Sequence, residues 1–130
     1  MLAFDFGTRR IGVAVGNTLT RSARALATID ADDAGTRFAA IAALIALWRP
    51  DRLVVGLPLH ADGTEHAMTA RARRFGTALA QRFALPVAYE DERHTSEAAR
   101  DLLRGGGRGA RARRDEVAAQ IILDAWLHRR

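Results

Sequence analysis

The chain has 130 residues, of which 48% are hydrophobic, so it is long enough for one domain with a buried core and too short for two ordinary domains. It has no cysteine, which excludes disulfides and thiolate metal sites, and no targeting pattern or long apolar span, which predicts a cytoplasmic protein without a membrane partner. All 20 basic residues are arginine and the net charge is +5, which favours a polyanionic partner such as nucleic acid. We expect a single domain over residues 1–130.

The first three predicted elements are strands. Two apolar runs, residues 2–6 and 11–15, flank a short turn, and residues 25–29 form a third run, so an antiparallel meander is predicted. Asp5 interrupts the first strand, and a carboxylate there is costly to bury unless it is hydrogen-bonded, paired or bound to a cation. A turn-capping role for Asp5 is the alternative. Gly7 and Gly12 lack a Cβ, so the backbone there can either bend sharply or let another group approach closely.

Helices alternate with strands in the next part of the chain. A helix is predicted after Asp30, Asp32 and Asp33, which can cap its amides, and it ends at Pro50. Its apolar side chains at helical spacing are Phe38, Ile41, Ala42, Ile45 and Trp48. Residues 52–57 are a continuous apolar run, typical of a strand that is covered on both faces. A second helix begins near residues 64–66, with a buried stripe of Met68, Ala72, Phe75, Leu79 and Phe83.

The last part of the chain contains a strand, a basic segment and a final helix. Residues 86–92 predict a fifth strand that becomes acidic at its end, and a short helix follows from Thr95 or Ser96 to about Arg104. The glycine-rich residues 105–109, together with Arg111, Arg113 and Arg114, predict a flexible basic loop. The last helix is predicted over about 114–127, with Asp115 in its first turn. Its predicted inward side chains are Val117, Ala118, Ile121, Ile122, Ala125 and Trp126.

This order of elements predicts an α/β fold, a mixed five-stranded sheet with helices on its faces. Ligands bind beyond the carboxyl ends of parallel strands, where Asp5 and Glu92 are expected, and a final helix across that rim would add Asp115. Such carboxylates, without a cysteine or histidine cluster, suit Mg²⁺ or Mn²⁺, which activate water for phosphodiester cleavage. A role for Asp115 in stabilising the helix start is an equal alternative.

Four stretches, in this order along nearly the whole chain, carry a resemblance to a known family. They are Asp5-Phe6-Gly7-Thr8-Arg9-Arg10-Ile11-Gly12-Val13-Ala14, then Val54-Val55-Gly56-Leu57-Pro58-Leu59 with Asp62-Gly63-Thr64-Glu65, then Asp91-Glu92-Arg93, and Asp115 before Ala118-Ala119-Gln120-Ile121-Ile122-Leu123. The chain resembles the YqgF/RuvX family of pre-16S rRNA nucleases, relatives of the Holliday-junction resolvase RuvC with an RNase H-like fold. The resemblance implies strand order 3-2-1-4-5 and metal-dependent cleavage of structured nucleic acid, with the 5′ end of precursor 16S rRNA as substrate in ribosome biogenesis.

The resemblance also assigns roles to residues. It makes Asp5, Glu92 and Asp115 the catalytic and metal-binding acids, while Asp91 and Arg93 orient the site or contact phosphate, and Arg9 or Arg10 meets the substrate backbone. The nucleic-acid-binding arginines predicted in all are Arg9, Arg10, Arg71, Arg74, Arg93, Arg111, Arg113 and Arg114. There are departures from the family pattern. The fourth strand ends without the glutamate of RuvC-like resolvases, so Glu92 would supply that ligand from another strand, and residue 94 is a histidine where the family often has an aliphatic residue.

Several interpretations stay open at this point. Glu65 is either a further ligand or a helix-start carboxylate. The four histidines, which are His60, His66, His94 and His128, have no compact ligand spacing and favour surface or packing roles. The rival functions are a noncatalytic RNA-binding ribosome-assembly factor and a resolvase-like nuclease of branched DNA. An actin-like ATPase is disfavoured because it needs two lobes. A homodimer is open because junction resolution usually needs two active sites.

Overall fold

The centre of the fold is a five-stranded mixed sheet, seen in a computed structural model that describes residues 1–94 and 110–129. The strands are β1 (Leu2–Phe6), β2 (Arg10–Asn17), β3 (Ser22–Asp30), β4 (Leu53–Leu57) and β5 (Val87–Asp91). β1 pairs antiparallel with β2 and parallel with β4, and β5 is parallel to β4. The observed order, β3-β2-β1-β4-β5, confirms the predicted sheet.

Three helices pack on this sheet within the described ranges, and they are α1 (Ala34–Trp48), α2 (Ala67–Phe83) and α3 (Ala110–His128). The Asp33 side chain accepts a hydrogen bond from the Thr36 amide at 2.8 Å, which caps α1 as predicted and lowers the pKa of Asp33. None of these helices has the length and apolar character that a bilayer crossing requires. The predicted short helix after Thr95 or Ser96 and the glycine-rich segment 105–109 lie outside the described residues.

The sheet separates two cores, because successive strand side chains point to opposite faces. On one face, α1 and α2 cover large side chains of the sheet, such as Phe4, and Phe6 contacts Phe75 of α2 with ring centroids 5.0 Å apart. On the other face, α3 covers small side chains such as Ala3 and Ala14. Asp5 lies between Phe4 and Phe6 in the chain and therefore faces α3.

Fewer of the predicted inward residues of α1 are buried against the sheet than expected. Ile41 is fully buried and Ile45 is partly buried, as expected, but Ala42 is exposed and Trp48 is 36% exposed. The prediction for these two residues is wrong. Arg37 and Ile41, one helical turn apart, are the buried residues of α1, and Ala42 lies beside this inward face and is exposed. Trp48 is the last residue of α1, where its ring stacks with the Arg24 guanidinium at 5.7 Å.

The start and the inward face of α3 also differ from the prediction. The helix begins at Ala110, so Arg111 and Arg113 belong to it and not to a loop, because alanine and arginine favour helix once the glycines have ended. The buried residues of α3 are Ala119, Ile122, Leu123, Trp126 and Leu127. Ile122 and Trp126 are as predicted, whereas Val117, Ala118, Ile121 and Ala125 are only partly buried. The reason is the contact of α3 with β2 described below.

The fifth strand ends one residue earlier than predicted. β5 stops at Asp91, and Glu92 begins a short 3₁₀ turn, Glu92–His94. Strand alternation therefore does not fix the direction of the Glu92 side chain, which extends back over β4 at Gly56.

Candidate active site

The central feature of the site is a pair of carboxylic acids, Asp5 and Glu92, whose side chains lie close enough for each to shift the pKa of the other. Asp5 lies in β1 and Glu92 follows β5, so β4 separates the strands from which they come. The Glu92 side chain crosses β4 over Gly56, where a Cβ would lie 3.0 Å from both Cγ and Cδ of Glu92. The glycine leaves the space that allows Glu92 to reach Asp5.

It is energetically unfavourable for Asp5 and Glu92 to carry a negative charge at the same time. Burial raises the pKa of Asp5 well above its ordinary value, and the charge and hydrogen bond of Glu92 raise it further. Burial also raises the pKa of Glu92, although the hydrogen bond with Asp5 acts in the opposite direction, and the charge of Asp91 adds a smaller increase. The two acids therefore retain a shared proton to a higher pH than isolated carboxyl groups do, and a cation would replace that proton favourably.

Asp115 is the third acid, and a glycine brings it to the pair. Gly12 is the β2 partner of Asp5, and a Cβ on Gly12 would lie 1.8 Å from the carbonyl oxygen of Asp115. The backbone of α3 thus rests directly on β2 beside Asp5, and the charge of Asp115 helps to raise the pKa of Asp5. Ala119 and Ile122 follow Asp115 at helical spacing on the buried stripe of α3.

A helix-start role for Asp115 is wrong, because α3 begins at Ala110 and its first turn holds no acidic residue. Instead, the Nε of Arg10 donates a hydrogen bond to Oδ2 of Asp115 at 3.0 Å, within a partly exposed ion pair. Arg10 is therefore engaged with an acid of the site. Arg9, its neighbour in the turn before β2, is exposed.

Arg93 borders the acid pair and is held in place by its neighbours. Its Nε and one terminal nitrogen donate to Oδ2 of Asp91 at 2.8 and 2.6 Å, and the other terminal nitrogen donates to the Ala61 carbonyl at 3.4 Å. Gly63 has a positive φ of 91°, and a Cβ there would lie 3.0 Å from Arg93. Asp91 thus orients Arg93 against the loop after β4.

An open groove of about 490 Å³ lies beside the pair, and Pro58, Leu59, Ala61, Glu92 and Arg93 line it. The groove is bordered by the carboxyl end of β4 and by the residues that follow β5. The groove therefore leaves Glu92 and Arg93 accessible from solvent.

The other predicted residues lie apart from the acid pair. Glu65 forms an exposed ion pair with Arg73 at 3.1 Å, so its carboxylate is engaged on α2. His66 caps α2 by accepting from the Met68 amide at 3.2 Å, its ring lies 4.7 Å from that of His60, and His128 contacts Asp124 near the end of α3. The packing and surface roles predicted for these three histidines are confirmed. The side chain of His94 lies outside the described residues.

Most of the predicted nucleic-acid-binding arginines outside the acid pair are exposed. Arg71 and Arg74 are exposed on α2, and Arg114 is exposed beside Asp115 on α3. The side chains of Arg111 and Arg113 lie outside the described residues. Arg114, Arg93 and Arg10 each adjoin or bind one of the acids, so positive charge surrounds the carboxylates.

The carboxylate ligands suit a hard divalent cation, although the three acids are not arranged as a preformed metal site. Within residues 1–94 and 110–129, no group of three or more histidine, cysteine, aspartate or glutamate side chains is arranged to hold a metal ion. Asp5 and Glu92 are in contact, while Asp115 is bound by Arg10. Two partly buried carboxylates supply the oxygen ligands that Mg²⁺ and Mn²⁺ prefer.

Comparison with known proteins identifies the family. A protein-family model described as RuvX, Holliday junction resolvase, matches residues 1–129. The chain belongs to the RuvX family. A relative in Dechloromonas aromatica (strain RCB) is 54% identical over 130 residues, which cover 98% of this chain and 89% of the relative. A second, in Burkholderia cenocepacia (strain HI2424), is 53% identical over 130 residues, covering 98% and 87%. Both relatives bear the name "Putative pre-16S rRNA nuclease".

Solved structures share the fold of this RuvX-family chain. Thermus thermophilus RuvC matches with a TM-score of 0.60 and 17% identity over 99% of this chain and 95% of that protein. The fowlpox virus Holliday junction resolvase matches with a TM-score of 0.54 and 10% identity over 100% of both chains. The likeness confirms the RuvC-like, RNase H-like fold predicted from the sequence.

One residue of the site had no role in the sequence interpretation. The sequence predicts a bend or a close approach at Gly12, and α3 makes the close approach. Gly56 has no predicted role beyond its place near the end of β4. The signal for Gly56 is a glycine inside an otherwise continuous apolar strand, which often marks such an approach.

Proposed function

We propose that this chain is a divalent-metal-dependent endonuclease that cleaves phosphodiester bonds in precursor 16S rRNA during maturation of the 5′ end. The RuvX family and the names of the relatives support a hydrolase that acts on nucleic acids. The observation that carries the metal-dependent mechanism is the close pair of Asp5 and Glu92, with raised pKa values, at the carboxyl end of the sheet, where Glu92 crosses β4 over Gly56.

In this proposal, Asp5 and Glu92 hold the ion, and Asp115 adds its negative charge from α3. A bound Mg²⁺ or Mn²⁺ supplies the Lewis acid that lowers the pKa of the attacking water and stabilises the charge on the leaving oxygen. Arg10 keeps Asp115 oriented toward the site through their ion pair. In this mechanism the attacking group is water.

The surrounding arginines bind the polyanionic substrate. Arg93 retains two N–H groups beyond the three that Asp91 and Ala61 engage, and it lines the groove beside Glu92. Arg9 and Arg114 are exposed beside the elements that carry Asp5 and Asp115. Phosphate contacts of this kind position the substrate without reading its sequence.

The proposed function is tested by comparing wild type with Asp5→Asn on a labelled 16S rRNA precursor and on a four-way DNA junction, each with Mg²⁺, with Mn²⁺ and with a chelator. We expect cleavage of the precursor by wild type that requires the metal and falls at least about 10³-fold in Asp5→Asn. Asp124→Asn is the matched control, because Asp124 is exposed on α3 and its nearest ionic partner is His128.

Each alternative has its own outcome. Equal cleavage by wild type and Asp5→Asn would assign the activity to another site or to a contaminant. Binding of the precursor without cleavage by any variant would favour a noncatalytic ribosome-assembly factor. Cleavage of the junction in preference to the precursor would favour the resolvase activity that the family description names.

A further inference from the structure

A second groove lies at the same end of β1 as the acid pair but on the opposite face of the sheet. It has a volume of about 290 Å³ between α1 and α2, near the lower end of the range for small-molecule sites. Phe6 lines it and follows Asp5 directly in β1, so the groove and the acid pair are separated by the edge of the sheet.

The lining of this groove is aromatic and basic. Phe6, Phe38 and Phe75 contribute its aromatic lining, and Arg71 and Arg74 line it from α2. Phe6 and Phe38 are only partly buried, and Arg71 and Arg74 are exposed. Arg82 covers one face of Phe38 with its guanidinium 4.3 Å from the ring centroid, so Phe38 is held in place while it lines the groove.

A buried arginine forms the base of the groove. Arg37 is 7% exposed, and its guanidinium donates to the carbonyls of Ala31 and Gly7, the latter at 2.7 Å. It also lies over the Phe6 ring, 5.5 Å from the centroid. Arg37 therefore links this groove to the turn between β1 and β2, which begins next to the strand that carries Asp5.

We propose that this groove binds one nucleotide of a single-stranded segment of the substrate, with the base against Phe6 and Phe38 and the phosphate on Arg71 and Arg74. Stacking on aromatic rings combined with arginine contacts is how proteins bind single strands without reading sequence. Asp32 also lines the groove and supplies an acceptor for a hydroxyl or amino group, which a nucleotide has and a bare phosphate ion lacks. The proposal rests on the proposed nuclease function.

The groove gives that nuclease a preference for a cleavage position near a single strand. A strand that leaves the acid pair passes over the turn between β1 and β2, where Thr8 and Arg9 are exposed, before it reaches the groove. Duplex RNA presents its bases to each other and cannot offer one to Phe6 or Phe38.

The test measures binding of a fluorescent 12-nucleotide single-stranded RNA in the Asp5→Asn protein, with a chelator present, so that cleavage and metal do not contribute. We expect the combined variant Arg71→Ala and Arg74→Ala to weaken binding at least about tenfold and to reduce the salt dependence. Phe38→Leu, which removes the aromatic ring and keeps the charge, should weaken binding about 5- to 10-fold with an unchanged salt dependence.

Arg73→Ala is the matched control, because Arg73 is on α2 and equally exposed but is paired with Glu65 outside the groove. We expect it to leave binding within about twofold of the parent. An equal loss in Arg73→Ala and in the double variant would overturn the groove in favour of diffuse electrostatic attraction. Unchanged binding in Phe38→Leu, with the fold intact by circular dichroism, would exclude base stacking there.

Two further ligands, duplex RNA and a free nucleotide, test whether the groove is specific for a single strand. Duplex RNA of the same length should bind equally to the parent and to Phe38→Leu, and adenosine monophosphate should displace the single strand only at millimolar or higher concentration. Displacement at micromolar concentration would overturn the proposal and assign a free-nucleotide site. These binding results are independent of the cleavage assay, so the groove can fail while the proposed nuclease function stands.

Discussion

The two faces of the sheet differ in the size of their side chains. The face with large side chains mainly stabilises the fold, and the face with small side chains shapes the site. The face toward α1 and α2 carries Leu2, Phe4, Ile11, Val13 and Val55, whereas the face toward α3 carries Ala3, Gly12, Ala14, Val54 and Gly56. Large side chains bury more apolar area and build the main core. Small ones allow α3 and Glu92 to approach the backbone, which brings three acids together.

The largest expected effect on stability is on the face with large side chains. Phe75 is 6% exposed and contacts the rings of Phe4, Phe6 and Phe38. Phe75→Ala should lower the free energy of unfolding by about 3–5 kcal/mol, because it removes buried apolar area and leaves a cavity. Urea denaturation measures this change. A loss below about 1 kcal/mol would show that the ring does not contribute to the core as described.

On the other face, a single methyl group should disrupt the geometry. Gly12→Ala places a Cβ against the Asp115 carbonyl and forces α3 away from β2, so we expect a loss of about 3 kcal/mol. Gly35→Ala is the control, since its Cβ would lie an ordinary 3.5 Å from the Asp33 carboxylate. Equal stability of the two variants by urea denaturation would contradict the close contact of α3 with β2.

The end of α3 offers a smaller perturbation of the same face. The carboxylate of Glu90 is 1% exposed and Arg129 binds it at 2.8 Å. Arg129→Met should cost about 1–3 kcal/mol because it removes a hydrogen-bond partner of a buried carboxylate. Arg114→Met, at the exposed start of α3, should cost less than about 0.5 kcal/mol. Thermal unfolding followed by circular dichroism compares the two, and equal losses would contradict the role of the Glu90 pair.

The smallest effect should be a gain of stability. Since the raised pKa means that native Asp5 binds its proton more tightly than the unfolded chain does, the free energy of unfolding falls as pH rises from the unfolded value through the native one. Asp5→Asn removes this cost. Without metal, the variant should therefore unfold at a higher temperature than wild type at neutral pH, by a few degrees, and the difference should shrink toward pH 4. A difference that grows on acidification would contradict the direction of the shift.

The sequence was sufficient for the sheet because each strand has its own signal. The short apolar runs separated by turns predict the antiparallel strands, the continuous apolar run of β4 predicts a strand covered on both faces, and the order of elements with the family resemblance predicts the topology. The start of α3 and its inward face were not predictable, because the contact of Gly12 with Asp115 decides which side of the helix faces the sheet. Helical spacing alone does not include that distant backbone contact.

The sequence predicts the acidic residues of the site but not the residues that hold them in place. Asp5, Glu92 and Asp115 came from strand ends and from the resemblance, and the structure brings all three to one edge of the sheet. The ion pair of Arg10 with Asp115 and the passage of Glu92 over Gly56 depend on side-chain directions that no local pattern encodes. The metal, the single domain, the cytoplasmic location and the homodimer stay predictions.

Binding of Mn²⁺, followed by electron paramagnetic resonance during titration, tests most directly whether the acids hold a divalent ion. We expect saturable binding to wild type, a loss of affinity of at least about tenfold in Asp5→Asn, and unchanged affinity in Asp124→Asn, whose acid lies outside the site. Binding that is equally strong in wild type and Asp5→Asn, with both proteins folded, would contradict the assignment of the acid pair as the metal centre.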